Sequence, residues 1–264
     1  MAFDINARTT FDEVAKLYDV ARPGYPEALF DDLVALTGIP ENGRILEIGC
    51  GPGKATVPLA KRGYEMVCVE LGKELAAIAA ENCRDYPAVT IKNMPFEEWP
   101  VEEESFDVAM CAQAFHWIPK AVGFKHTAAA LRGNGRLVLF WNYPPPMATP
   151  AWDAIQRVYQ EHTPHMASKH TANSISTRRE RTLTSIANSG YYDHVITYEY
   201  PWTTTYTTSE YINLINTYSD HRSLDPETRQ TLCEGIAKCI DLFGGELEKH
   251  YLTLLYIANK SSNL

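Results

Sequence analysis

The stretch Glu47-Ile48-Gly49-Cys50-Gly51-Pro52-Gly53 joins an apolar run to a helical one, and its residue types suit the capture of a ligand against the main chain. Glycine at three alternate positions permits torsions that a Cβ forbids and lets a ligand lie on bare backbone. Glu47 places a carboxylate two residues before the first glycine. A pyrophosphate at such a loop wants helix-end N–H groups and no carboxylate beside it. A ligand bearing an ammonium is instead attracted by Glu47. The dinucleotide pattern G-x-G-x-x-G would need glycine at position 54, where the chain has Lys54.

A second acid, Glu70, closes the run Val67-Cys68-Val69-Glu70. It lies about 20 residues after the glycines, where an acid hydrogen-bonds the ribose hydroxyls of an adenosine ligand. That role is common to dinucleotides and to S-adenosylmethionine. The charge pattern separates the two, because S-adenosylmethionine carries an ammonium, a carboxylate and a sulfonium but no phosphate. Methyl transfer from a sulfonium asks mainly for positioning and desolvation, so a catalytic side chain is not obligatory.

Further residues are placed for a supporting role. His116, beside Gln113 and Trp117, follows a strand and reads either as a general base or acceptor-carboxylate holder, or as a packed loop histidine. Gln113 positions a cofactor or the loop itself. Tyr18, Arg22 and Tyr25 surround the break Arg22-Pro23-Gly24-Tyr25-Pro26 and read as a lid, with surface capping and a turn as the plain alternative. Asn142 either reaches an acceptor or caps a strand end. The aromatic stretch from Tyr191 to Tyr206 covers the sheet edge or walls an acceptor pocket. His162, His165 and His170 lack metal-ligand spacing and an accompanying acid or cysteine, so no metal is expected.

These residues need a scaffold, and the alternation of patterns supplies one. Helical spacing runs over Phe11 to Tyr18 and over Glu27 to Leu36, the second helix ending at Gly38 and Pro40. Strands are expected at Arg44–Ile48, Tyr64–Leu71, Val89–Asn93, Phe106–Cys111 and Arg136–Trp141. Helices are expected between them at Lys54–Arg62, Lys73–Arg84 and Pro119–Leu131. Beyond Tyr143-Pro144-Pro145-Pro146 come a helix over Trp152–Glu161 and a polar loop over His162–Thr177. A helix over Arg178–Asn188 follows, then a strand over His194–Tyr200. Helices within Ser209–Tyr218 and Pro226–Phe243 precede a last strand, Tyr251–Ala258. Such βαβ alternation implies an α/β, Rossmann-like three-layer sandwich. Its seven-stranded sheet would be mostly parallel, with an antiparallel strand at one edge.

At 264 residues, 45% hydrophobic and 22% charged, the chain is long enough for a sizeable core and is read as one domain over 1–264. Within it, 1–38 forms a helical arm or lid, 40–142 the cofactor-binding half, and 143–264 the acceptor-side helices and edge strands. The net charge of −9 works against nucleic-acid binding. The cluster Arg178, Arg179 and Arg181 is short, is interrupted by Glu180, and reads as a solvated helix start. Six cysteines without a CxxC pair, no leader-like segment and no long apolar run point to a reduced, cytoplasmic protein that does not enter a membrane.

The run Ile45-Leu46-Glu47-Ile48-Gly49-Cys50-Gly51-Pro52-Gly53 resembles the first motif of class I S-adenosylmethionine-dependent methyltransferases. The resemblance extends to Phe106-Asp107-Val108 and to Leu131-Arg132-Gly133-Asn134-Gly135-Arg136-Leu137, and covers about residues 10 to 142. Tyr18 to Pro26 and Gln113-Ala114-Phe115-His116-Trp117 are similar to a small-molecule subgroup that includes trans-aconitate methyltransferase-like proteins. The resemblance implies S-adenosylmethionine as cofactor. Glu47, Gly49, Cys50, Gly51 and Gly53 would hold its methionine part, with Arg22 on the carboxylate. Glu70 and Leu71 would hold the ribose, Phe96 and Glu97 the adenine, and Ala112 and Gln113 the middle. Pro95 departs from the family by replacing an aspartate that binds the adenine amino group. His116, Tyr18 and Tyr25 would face a small polar acceptor, which the subgroup resemblance makes a carboxylate, in a monomer or homodimer. A nicotinamide-dependent oxidoreductase and a cofactor-binding module without catalysis stay open as alternatives.

Overall fold

The apolar runs pair into a seven-stranded sheet in the computed structural model, which describes residues 8–167 and 172–262. The strands are β1 (Arg44–Ile48), β2 (Glu65–Glu70), β3 (Val89–Asn93), β4 (Phe106–Ala112), β5 (Leu131–Tyr143), β6 (Tyr192–Thr207) and β7 (Glu246–Lys260). They lie in the order β3-β2-β1-β4-β5-β7-β6. The first five are parallel. β7 runs antiparallel to both of its neighbours, so the single reversed strand sits one place inside the edge, with β6 outside it.

Alternation along the strands decides what each face covers. Leu46, Ile48, Val67, Val69, Ala109, Cys111, Leu137 and Leu139 pack on one face with Phe124 and Ala128 of α5 (Lys120–Ala130) and Ile186 of α7 (Ala172–Ala187). Ile45, Met66, Cys68, Val108, Met110, Val138 and Phe140 pack on the other. That face receives Leu29, Phe30 and Leu33 of α2 (Glu27–Thr37), Leu59 of α3 (Thr56–Ala60) and Ala79 of α4 (Lys73–Asn82). Burial on both faces is what near-continuous apolar strands require. α2 ends at Gly38, whose φ of 62° takes the left-handed turn that closes a helix.

A third cluster joins α6 (Pro150–His162), α8 (Thr208–Ile215) and α10 (Pro226–Leu242) to the ends of β6 and β7. Trp152, Ile155, Tyr211, Leu214, Leu232, Ile236 and Tyr251 fill it. The remaining helices are α1 (Ala15–Ala21) and α9 (Ser219–Arg222).

Several boundaries correct the sequence reading. The helix expected over Lys54–Arg62 is confined to α3, because positive φ at Gly49, Gly51 and Gly53 keeps the chain turning until Ala55. Ala172–Thr177, expected in a loop, belongs to α7, so Arg178, Arg179 and Arg181 lie inside a helix rather than at its start. Arg179 there pairs with Glu199. β6 continues through Pro201, which the outer position allows: an edge strand needs no donor on its free side. β7 begins at Glu246, five residues before the expected Tyr251.

Candidate functional site

Two cavities, of about 370 and 270 Å³, open beside the glycine loop at the carboxyl ends of the parallel strands. Both are walled by Tyr18, Arg22, Gly49, Gly51, Ala112 and Gln113, so they share their inner wall.

The loop is shaped by its glycines. Gly49 and Gly51 have φ of 66° and 56°, and a Cβ on Gly49 would stand 2.6 Å from that of Ala114. A Cβ on Gly51 would meet nothing within 4 Å, so its main chain is bare toward the cavity it lines. Glu70 fixes this geometry: Oε2 accepts from Gly51 N and Oε1 from Gly72 N, each at 2.8 Å. Its burial raises the carboxyl pKa, and the amide donors oppose that. Glu70 and Leu71 line the smaller cavity with Phe96 and Glu97. Phe96 stacks on Trp99 at 5.8 Å. Glu97 pairs with Arg8 at 2.6 Å, which brings the amino-terminal arm over this end.

The structure departs from three of the residue expectations. Glu47 lines neither cavity: it lies on the face shared with Ile45, fully buried, and accepts from the Thr56 hydroxyl at 2.6 Å. Its Oε1 has no hydrogen-bond partner. Burial pushes its carboxyl up to about 7 against the lowering effect of Thr56 and Cys68. Glu47 therefore supports the loop from behind. Gly53 also lines neither cavity and serves the turn into α3. His116 faces the smaller cavity, the one with Glu70, and its Nδ1 accepts from the Trp141 indole at 3.3 Å. Although part of the ring is exposed, the surrounding protein and Arg178 lower its pKa to about 4, which leaves it neutral near pH 7.

Cys50 and Tyr25 line the larger cavity, where Tyr25 packs edge-on against Phe140 at 4.8 Å. Arg22 faces both cavities. Its guanidinium lies over the rings of Tyr18 and Tyr218, at 5.0 and 4.4 Å, and donates to the hydroxyl and carbonyl of Thr217. Asn142 lines the larger cavity and donates to the Gly24 carbonyl at 3.0 Å, tying the arm to β5.

The rest of the larger cavity comes from the second half of the chain, which the sequence reading left without named roles. Trp152, Tyr159, Tyr211, Tyr218, Asp220, His221, Lys249 and Tyr251 form it. His221 is buried between Asp220, 2.9 Å from Nδ1, and the Tyr159 hydroxyl, 2.8 Å from Nε2. An acceptor carboxylate on Nδ1 places the proton there and leaves Nε2 to accept from Tyr159, so the three form a chain able to pass a proton. Lys249 was legible in part: Leu247, Lys249 and Tyr251 share one face of β7, with exposed residues between them. A lysine flanked by inward apolar residues at a spacing of two is the signal. His162 and His165 belong to the end of α6 and the following turn, while His170 lies outside the described residues. Among the described residues no group of three or more His, Cys, Asp or Glu is placed to hold a metal. No helix there is long and apolar enough to cross a membrane, and the six cysteines are free thiols.

Comparison with known proteins agrees with this geometry. Residues 45–135 match the family model of the methyltransferase domain. An uncharacterized methyltransferase-like protein of Schizosaccharomyces pombe is 34% identical over 143 residues, 54% of each chain. The trans-aconitate 2-methyltransferase of Mycobacterium tuberculosis is 29% identical over 103 residues, 38% of this chain and 37% of that one. These matches thus span about half or less of the relatives' length. Among solved structures, a candidate type II methyltransferase of Anaeromyxobacter dehalogenans superposes with a TM-score of 0.64 at 20% identity, over 91% of this chain and 98% of that one. With its glycine loop, its buried strand-end acid and its single reversed strand, this chain shares the fold of a solved methyltransferase, and its residues 45–135 match the methyltransferase domain.

Proposed function

We propose that the protein transfers a methyl group from S-adenosylmethionine to a small polar acceptor, a carboxylate being the acceptor that the resemblance to trans-aconitate methyltransferase favours. The observation that carries this reading is the pair of cavities sharing the wall Gly49, Gly51, Ala112 and Gln113. One is suited to an adenosine, the other to an acceptor, and a methyl donor must present its reactive group between the two. When bound, the cofactor supplies an electrophilic methyl on a sulfonium.

The residues present fit that group. Bare main chain at Gly51 and the Gly49 turn accept the methionine part, with Cys50 beside them, and the Arg22 guanidinium lies in reach of both cavities for its carboxylate. Glu70 keeps lone pairs for ribose hydroxyls after bonding Gly51 and Gly72. Leu71 and Phe96 give an adenine an apolar slot, with Glu97 at its polar edge. Ala112 and Gln113 flank the junction. Tyr18 and Tyr25, on the arm over residues 8–26, close the junction to water, which strengthens electrostatic contacts inside. A carboxylate acceptor is already ionised and needs no base. His116 then serves as a neutral wall of the adenosine side. The Asp220–His221–Tyr159 chain is the better-placed route for a proton if the acceptor brings one.

Thermal unfolding with added ligands tests the cofactor. S-adenosylhomocysteine at about 100 times its Kd should raise the Tm by about 5 °C or more, and NAD should leave it unchanged. Stabilisation by NAD alone would overturn the reading. A labelled-methyl assay over a panel of small carboxylates then separates an enzyme from a binding module, which would bind the cofactor but release no methylated product.

A further inference from the structure

Lys249 lines the larger cavity from the inward face of β7 and has no part in the reading above. It is 3% exposed. Its Nζ stands 5.5 Å from the ring centre of Trp152, 5.6 Å from Tyr211 and 5.5 Å from Tyr251. Among the described residues it has no hydrogen bond and no ion pair. Asp220, in the same cavity, is engaged by His221. The charge that acts on Lys249 is Arg22, of the same sign.

Ring faces compensate a cation only in part, and a buried ammonium without an anion remains costly. Folding alone gives no reason to keep it, since a methionine would fill the same space among the same rings. A ligand that brings the missing negative charge does give a reason. We propose that Lys249 anchors the carboxylate of the methyl acceptor, and that the acceptor has a flat, apolar body lying among Trp152, Tyr211 and Tyr251. This deepens the methyltransferase reading and rests on it, with the acceptor's polarity confined to its carboxylate.

The charge count selects a carboxylate. One ammonium neutralises one negative charge. A dianionic phosphate would press its second charge against the electron-rich faces of the same rings. Arg22 does not serve in place of Lys249, because its guanidinium is bonded to Thr217, stacked between two tyrosines at the junction, and has its remaining donors assigned to the cofactor's carboxylate in the proposed reading. Burial and Arg22 lower the Lys249 pKa to about 8, which still leaves the ammonium as the main form near pH 7. The walls select the body: three aromatic rings around one charge favour a planar, conjugated acceptor over a polar, flexible one. Lys249 is thus a positioning and specificity residue.

Calorimetric titration of protein saturated with S-adenosylhomocysteine tests this, with benzoate, benzamide and phenyl phosphate as probes. Wild type should bind benzoate about tenfold or more tightly than benzamide, the worth of one charge-assisted bond, and phenyl phosphate no more tightly than benzoate. Lys249→Met should bind benzoate and benzamide alike, keep its affinity for S-adenosylhomocysteine within about twofold, and melt higher than wild type without ligands. Lys249→Arg should keep part of the preference for benzoate. The proposal is overturned by equal binding of the two probes to wild type, by no benzoate binding at millimolar concentration, by preference for phenyl phosphate, by a preference that survives in Lys249→Met, or by a lower Tm of that variant. Should the variant not fold, the Lys249 anchor is overturned as structural, and the wild-type titrations stand apart from it. Saturation with S-adenosylhomocysteine is measured first. Its failure breaks the methyltransferase reading, and the Lys249 proposal falls with it, whereas failure with benzoate alone breaks only the proposal.

Discussion

Glu47 shows how much a single strand residue depends on the face it occupies. Its type and its place before the glycines were legible in the sequence, but its direction was not. It alternates with Leu46 and Ile48, so it points to the side of Ile45 and α3 and reaches the Thr56 hydroxyl instead of a cavity. This has a titration consequence. The folded carboxyl has a pKa of about 7 against the ordinary glutamate value of 4.5, so the native state holds its proton more tightly. The resulting stabilisation is complete below about pH 4.5 and is lost as pH rises through 7. A shift of this size corresponds to about 3 kcal/mol across that window. Glu47→Gln should therefore flatten the fall in Tm between pH 5 and pH 8. Melting curves at four pH values check this, and a variant with the wild-type slope would remove Glu47 as the cause. Gly49 and Gly51, in contrast, were legible outright, because a positive φ is a local property of the residue.

At the scale of elements, the arm over residues 8–26 is held by contacts that spacing does not reveal. Asp12 Oδ1 accepts from Leu75 N at 2.9 Å. α4 has no capping side chain of its own at Gly72, so an acid 63 positions away caps it. Asp12→Ala should cost about 1 kcal/mol, the usual worth of an N-cap. It should also loosen the arm. Amide exchange checks both effects: Leu75 and the amides of α1 should exchange faster, and unchanged protection of α1 would show that Arg8, Arg22 and Asn142 hold the arm without Asp12. The parallel strands and the first helices were readable because each is a local apolar pattern between turn residues. The start of β7 was not, since Glu246 to His250 reads as charged until Leu247, Lys249 and Tyr251 are recognised as one inward face. The polar start of α7 gave no apolar period to count.

At the scale of the molecule, the two halves of the chain divide the two cavities between them. The smaller is built mainly from loops after β1 to β4, the larger from the loops after β1 and β4 together with α6, α8, α9 and β7. The division predicts separable defects. Trp152→Ala should raise the KM of a carboxylate acceptor about tenfold while the Kd of S-adenosylhomocysteine stays within about twofold. Phe96→Ala should weaken S-adenosylhomocysteine by a similar factor, from the loss of a stacked aromatic wall. Calorimetry and steady-state kinetics on both variants decide it, and a variant that moves both constants together would show that the cavities act as one. The first half of this division was legible in the sequence, for its motifs are contiguous. The second was not, because its cavity gathers one to three residues from each of four separate elements.

The place of β7 also sets an order of construction. Among the described residues β7 is the only strand beside β6 and the outer neighbour of β5, yet it follows both in the chain. While the chain is being made, the glycine loop and its strands are complete roughly a hundred residues before β7 exists. From the end of β6 at Thr207 until β7 starts at Glu246, β6 lacks the strand that pairs with it and carries Ile196 and Tyr198, an open edge of the kind that other chains add to. The strands beside the smaller cavity are therefore made before the larger one has its floor, and the strand that supplies Lys249 is the same one that joins β6 to the sheet. Synthesis therefore completes the larger cavity and the pairing of β6 in a single step, when β7 slides into place.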